Sequence, residues 1–120
     1  MRSGWLLRDG DVVCALEMTE SAAERGALRG RDGCDGALHV DGVRSVHTFG
    51  MRFTIDVAFL SRELVVVRVA RLKPWRLAVG GRIARSAVET EAGALERWGV
   101  RVGDQLEVRE VPNGAVSDGP

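Results

Sequence analysis

The chain contains no tyrosine, three tryptophans, three phenylalanines, two cysteines and two histidines, and Lys73 is the lone lysine among its seventeen basic residues. Each shortage excludes something. Cys14 and Cys34 form no CxxC pair and have no histidine close in sequence, which argues against a zinc centre and against a disulfide scaffold. In a reducing compartment each is expected to be a small buried apolar residue. His39 and His47 alone make a poor metal set, so neither a metal nor another cofactor is expected. Apolar runs such as Val57 to Leu60 and Leu64 to Val67 fall far short of the roughly 20 residues that span a bilayer. The opening "MRSGWLLRDGD" lacks the apolar core of a signal peptide, and a cytoplasmic location is the expectation. There is no GxSxG, no HExxH and no phosphate-cradling loop: "GGRIAR" lacks the required Lys-Ser/Thr ending.

What is present is ordinary for a globular protein: 45% hydrophobic and 28% charged residues in 120. One domain over residues 1–111 is expected, with "PNGAVSDGP" at 112–120 as a loose tail. Net charge is zero, but the charges are segregated. Residues 42–85 carry nine Lys or Arg against only Asp56 and Glu63, whereas both flanking segments are acidic. Such a block could grip phosphates. It could equally pair with its acidic neighbours once folded. Nucleic acid is the less favoured partner on composition, because such domains show a net basic excess and aromatic platforms.

Turn signals dominate the pattern. Asp9-Gly10 between apolar runs predicts a hairpin of Trp5–Leu7 with Val12–Leu16. Ser21 and Glu24 form a capping box for a helix that Gly30 ends. Strands are predicted at 37–40, 54–60, 64–72, 84–91 and 105–111, and "AGALERWG" predicts a short helix closed by Gly99. The fold class is mostly β (α+β): a small, partly closed β-barrel with one or two short helices. The competing arrangement is an α+β sandwich with the first helix laid across the sheet.

The runs "RGRDGCDGALHVDGVRSVHTFGMRFTIDVAFL", "VVVRVARLKPWR" and "GALERWGVRVGDQLEV" resemble family 192 of the domains of unknown function, over roughly residues 20–108. The resemblance implies a small, largely β domain, and some members of the family are exported or lipid-anchored. It offers no catalytic residues to carry over. This chain has Thr54 where members often have Pro, and Arg62-Glu63-Leu64 where they have a DG turn.

The candidate site residues are His47, Arg52, Asp56 and Trp75. Asp56 lies between Ile55 and Val57 in a predicted strand, so it needs a partner. That partner is either a backbone N–H group or Arg52, four residues away and on the same face of a continuous strand. His47 and Asp56 could form an acid–base pair for a small hydrolase or lyase, but nine residues of unbroken strand would set them on opposite faces unless the chain bends at Gly50. Trp75, after Pro74, could stack on a ligand or cover the end of the barrel. The preferred reading is a non-enzymatic module, monomeric or homodimeric, that binds a small anionic ligand or a protein partner. Nucleic-acid or anion binding through residues 42–85 is the weaker alternative.

Overall fold

Asp9 (φ 54) and Gly10 (φ 83) both have positive φ, as a two-residue type I′ turn requires and as Asp and Gly tolerate. They join β1 (Arg2–Arg8) to β2 (Asp11–Thr19) as an antiparallel hairpin in which Arg8 faces Asp11. The computed structural model describes residues 2–19 and 36–111. The helix predicted after Ser21 and the tail at 112–120 lie outside those residues.

β2 pairs in parallel with β3 (Ala37–Asp41). Next come β4 (Ser45–His47), β5 (Ile55–Leu60), β6 (Val66–Leu72), β7 (Leu77–Val79), β8 (Ser86–Glu91), the single-turn helix α1 (Ala94–Arg97) and β9 (Leu106–Glu110). Seven strands form one sheet in the order β6-β5-β8-β3-β2-β1-β9, and β4 and β7 form a separate two-stranded ribbon. The class is mostly β, but the large sheet is not closed into a barrel. Its edges meet at one end only, by a single Val65/Gln105 bridge and backbone bonds such as Val66 N–H to the Asp104 carbonyl at 2.9 Å.

Alternation along β5 feeds two cores. Ile55, Val57 and Phe59 pack with Leu38, Val40 and Ala87 beneath Val46, Met51 and Ala78 of the ribbon side. Ala58 and Leu60 pack on the other face with Leu6, Leu16, Val88 and the α1 residue Leu95. Both faces are covered, so all six β5 residues are buried. Each large side chain removed from water in this way contributes about 1.5–3 kcal/mol. Trp98 packs half-buried against the second core, and Met51 is buried in the first. Gly80, at the end of β7, has no room for a side chain: a Cβ there would lie 2.5 Å from the Phe59 ring. α1 ends as its sequence predicts. Gly99 takes φ 70, its N–H reaches the Glu96 carbonyl and the Val100 N–H reaches that of Leu95, a Schellman closure.

Candidate functional site

Two tight turns stand at one end of the ribbon, and Thr48 ties them together. In Thr48-Phe49-Gly50-Met51 the Met51 N–H donates to the Thr48 carbonyl at 3.1 Å and Gly50 has φ 81. In Lys73-Pro74-Trp75-Arg76, Pro74 holds the second position and Trp75 the third with φ 64. That is the sequence position where a type II turn normally places glycine. The Thr48 hydroxyl sits between the ends of this second turn. It donates to the Lys73 carbonyl at 2.6 Å and accepts the Arg76 N–H at 2.9 Å. The Thr48 carbonyl also accepts the Trp75 N–H at 3.0 Å, and the Thr48 N–H donates to the Arg76 carbonyl at 2.9 Å. With no exposed surface, Thr48 satisfies five bonds and fixes both turn tips.

Phe49 and Trp75 project from those tips, 43% and 65% exposed. Their rings stack at 6.1 Å and 23°, and the Phe49 ring also stacks on His47 at 4.6 Å and 21°. Alternation extends this surface along the ribbon. Val46 and Ala78 turn inward to the first core, while Leu77 and Val79 are exposed. Arg44, Arg52, Lys73 and Arg76, from the strands and turns that build the ribbon, are exposed as well. The result is a three-ring array beside exposed aliphatic residues, on a ribbon whose turns and strand ends carry four exposed cationic residues.

Among the described residues, three other than glycine have positive φ: Asp9, Leu64 and Trp75. Asp9 belongs to a residue type that tolerates the conformation. Leu64 packs against the second core. Trp75 has neither compensation. An L-residue in this region costs about 1–2 kcal/mol, and the exposed indole recovers little of it.

Asp56 belongs to a different place. It lies on the second-core face of β5, beside Ala58 and Leu60, and is only 4% exposed. Its Oδ1 accepts from Arg71 Nε at 2.9 Å, and its Oδ2 accepts the Gly93 N–H at 2.8 Å and Arg71 Nη2 at 3.4 Å. The guanidinium that pairs with Asp56 is therefore Arg71 of β6 rather than Arg52, and the pairing raises the Arg71 pKa further. His47 lies above the first core, on the far side of the sheet, so the structure does not bring His47 and Asp56 together. A cleft of about 360 Å³ beside α1 contains Arg71 and Arg101 together with Asp56 and Glu96. Two charges of each sign give it no preference for an anion.

His39, buried on the second-core side, has its pKa lowered chiefly by desolvation. Arg2 adds to the lowering, and Asp41 opposes it. Among the described residues no group of three or more His, Cys, Asp or Glu side chains is placed to hold a metal ion. No described helix is long and apolar enough to cross a membrane. The sequence reading of the site included His47, Arg52 and Trp75 but missed Thr48 and Phe49. The local cue to Phe49 is the following Gly50, which marks a turn tip; Thr48 has no such cue, because its partners lie 25 and 28 residues away.

A family model, DUF192, described as uncharacterized ACR, matches residues 8–108. A UPF0127 protein of Pyrococcus furiosus is 48% identical over 63 residues, which cover 52% of this chain and 54% of that protein. One from Pyrococcus abyssi is 40% identical over 63 residues, with the same two coverages. The chain thus spans about half the length of the curated relatives it matches. In fold it is similar to a Sinorhizobium meliloti protein named as a candidate transcription regulator (TM-score 0.74, 19% identity, 89% of this chain and 92% of that one). A Novosphingobium aromaticivorans protein of unknown function is also similar (TM-score 0.68, 14% identity, 88% and 83%). At such identities the likeness concerns the fold alone.

Proposed function

Since the chain belongs to the uncharacterized DUF192 family, we propose that it is a non-enzymatic binding module whose aromatic ribbon docks a negatively charged partner. The carrying observation is Trp75: an exposed ring held at φ 64 by a dedicated hydrogen-bond network. Backbone strain retained without a packing gain is characteristic of positions selected for something outside the fold. Charge supplies the sign of the partner. Residues 42–85 carry nine basic side chains against two acids; Asp56 and its partner Arg71 neutralise each other on the opposite side of the sheet and Glu63 lies in the β5–β6 turn, so the remaining excess is basic. An acid–base role for His47 with Asp56 has no support in this geometry.

The test is anisotropy titration with a panel of labelled acidic probes: polyglutamate, a heparin fragment and oligonucleotides. At least one should bind, and both Trp75→Gly and Phe49→Ser should weaken it by tenfold or more while leaving a folded protein. Failure of every probe to bind, or binding indifferent to both substitutions, would sink this reading.

A further inference from the structure

Resting on the ribbon reading above, we infer that the partner is single-stranded nucleic acid, with bases stacked on Trp75 and Phe49 and phosphates held by Arg44, Arg52, Lys73 and Arg76. The geometry of the rings carries this. An apolar contact with a protein needs area but no particular ring orientation. Here His47, Phe49 and Trp75 lie within 21° and 23° of parallel, forming a staircase of π faces that ends on an exposed indole. A nucleobase prolongs such a staircase, and every base has a face to offer.

Composition alone argues against nucleic acid, because net charge is zero and tyrosine is absent. The fold removes both objections. It gathers three of the few rings into one array, and the basic excess sits in the segment that builds that array. Local positive potential attracts a polyanion irrespective of net charge. The surface also selects single strands, because a duplex hides its base faces in its own stack, whereas the two turn tips can meet only bases that are free to splay. Exposed Leu77 and Val79 continue the surface beside the rings, where sugars or a thymine methyl can rest.

The experiment titrates short labelled oligo(dT) and oligo(rU), the corresponding duplex, polyglutamate and anionic lipid vesicles, at roughly 50 and 200 mM salt. Single strands are expected to bind more tightly than the duplex. With one phosphate neutralised by each of the four cationic side chains, their affinity should fall roughly 50-fold across that salt range. Trp75→Gly should weaken single-strand binding about 5- to 150-fold, and Arg76→Gln should lessen the salt slope by about 0.7. The dT and rU arms decide whether the 2′-hydroxyl contributes. If polyglutamate or vesicles bind in a Trp75-dependent manner and single strands do not, the ribbon reading stands and the nucleic-acid inference falls. If duplex binds as well as single strands, or single-strand binding ignores Trp75→Gly, the inference falls too. If no probe binds, both fall.

Discussion

Asp56 and Trp75 occupy the same basic stretch of chain and invert the usual expectation of what each residue type is for. The carboxylate, the kind of group one suspects of chemistry, is buried, and both its oxygens are taken up by Arg71 and Gly93. The indole, the kind of group one assigns to a core, stands in solvent on strained backbone. Polarity therefore does not identify the site here. The better criterion is whether the fold recovers what it spends on the residue: for Asp56 it does, and for Trp75 it does not. Leu64 sharpens the contrast, since it adopts the same backbone region and offsets the strain by packing on the second core.

That comparison can be pushed until it breaks, beginning with Thr48. Thr48→Val removes the hydroxyl from between Lys73 and Arg76 and leaves a part-buried donor and acceptor unsatisfied, so urea unfolding should show a loss of about 2–3 kcal/mol. Thr48→Ser, which keeps the hydroxyl, should recover most of that loss. A near-neutral Thr48→Val would mean that the two turns stand without the tie. Asp56→Ala should cost about 2 kcal/mol, mainly through the orphaned Gly93 N–H, because Arg71 remains largely in water and its ion pair is screened. A gain in stability would instead move Asp56 into the same class as Trp75.

Acid provides a third handle, on the buried second-core side alone. His39 has a folded-state pKa below its ordinary 6.5, so the unfolded chain binds the proton first. The stability that neutral His39 contributes is complete above pH 6.5 and is lost as pH falls below it, toward the lowered folded value. His39→Gln should flatten that part of the stability-versus-pH curve. An unchanged slope would place the titration elsewhere.

The smallest effect, and the one with opposite sign, belongs to Trp75→Gly. Relieving positive φ should leave the unfolding midpoint unchanged or raise stability by about 1 kcal/mol, while binding at the ribbon is lost. A clear destabilisation would show that the indole serves the fold after all, and the contrast with Asp56 would collapse.

Much of the scaffold was legible because it rests on short-range sterics. Asp9-Gly10 and Gly99 adopt the backbone their residue types favour, period-two alternation located β5 and β6, and the Gly80-Gly81 turn marked the approach to β8. The partner of Asp56 was not legible, and a single bulge explains why. Leu60 pairs with Val66 but Phe59 pairs with Arg68. Without that extra residue Asp56 would face Ala70, and Arg71 would turn toward the first core. A shift of one residue swaps faces, and nothing local to Asp56 records it.

By itself, then, the sequence determined the family, the mostly β class, the turn positions and the concentration of basic charge in one segment, because each depends on residue identity or on neighbours a few positions away. Only the tertiary structure decided that the chain breaks between His47 and Ile55, that Thr48 reaches across to Lys73 and Arg76, and that the Phe49 and Trp75 rings stack near-parallel. Those outcomes depend on register and on the pairing of β4 with β7. Pairing between distant segments is selected by the packing of the whole sheet, not by local propensity.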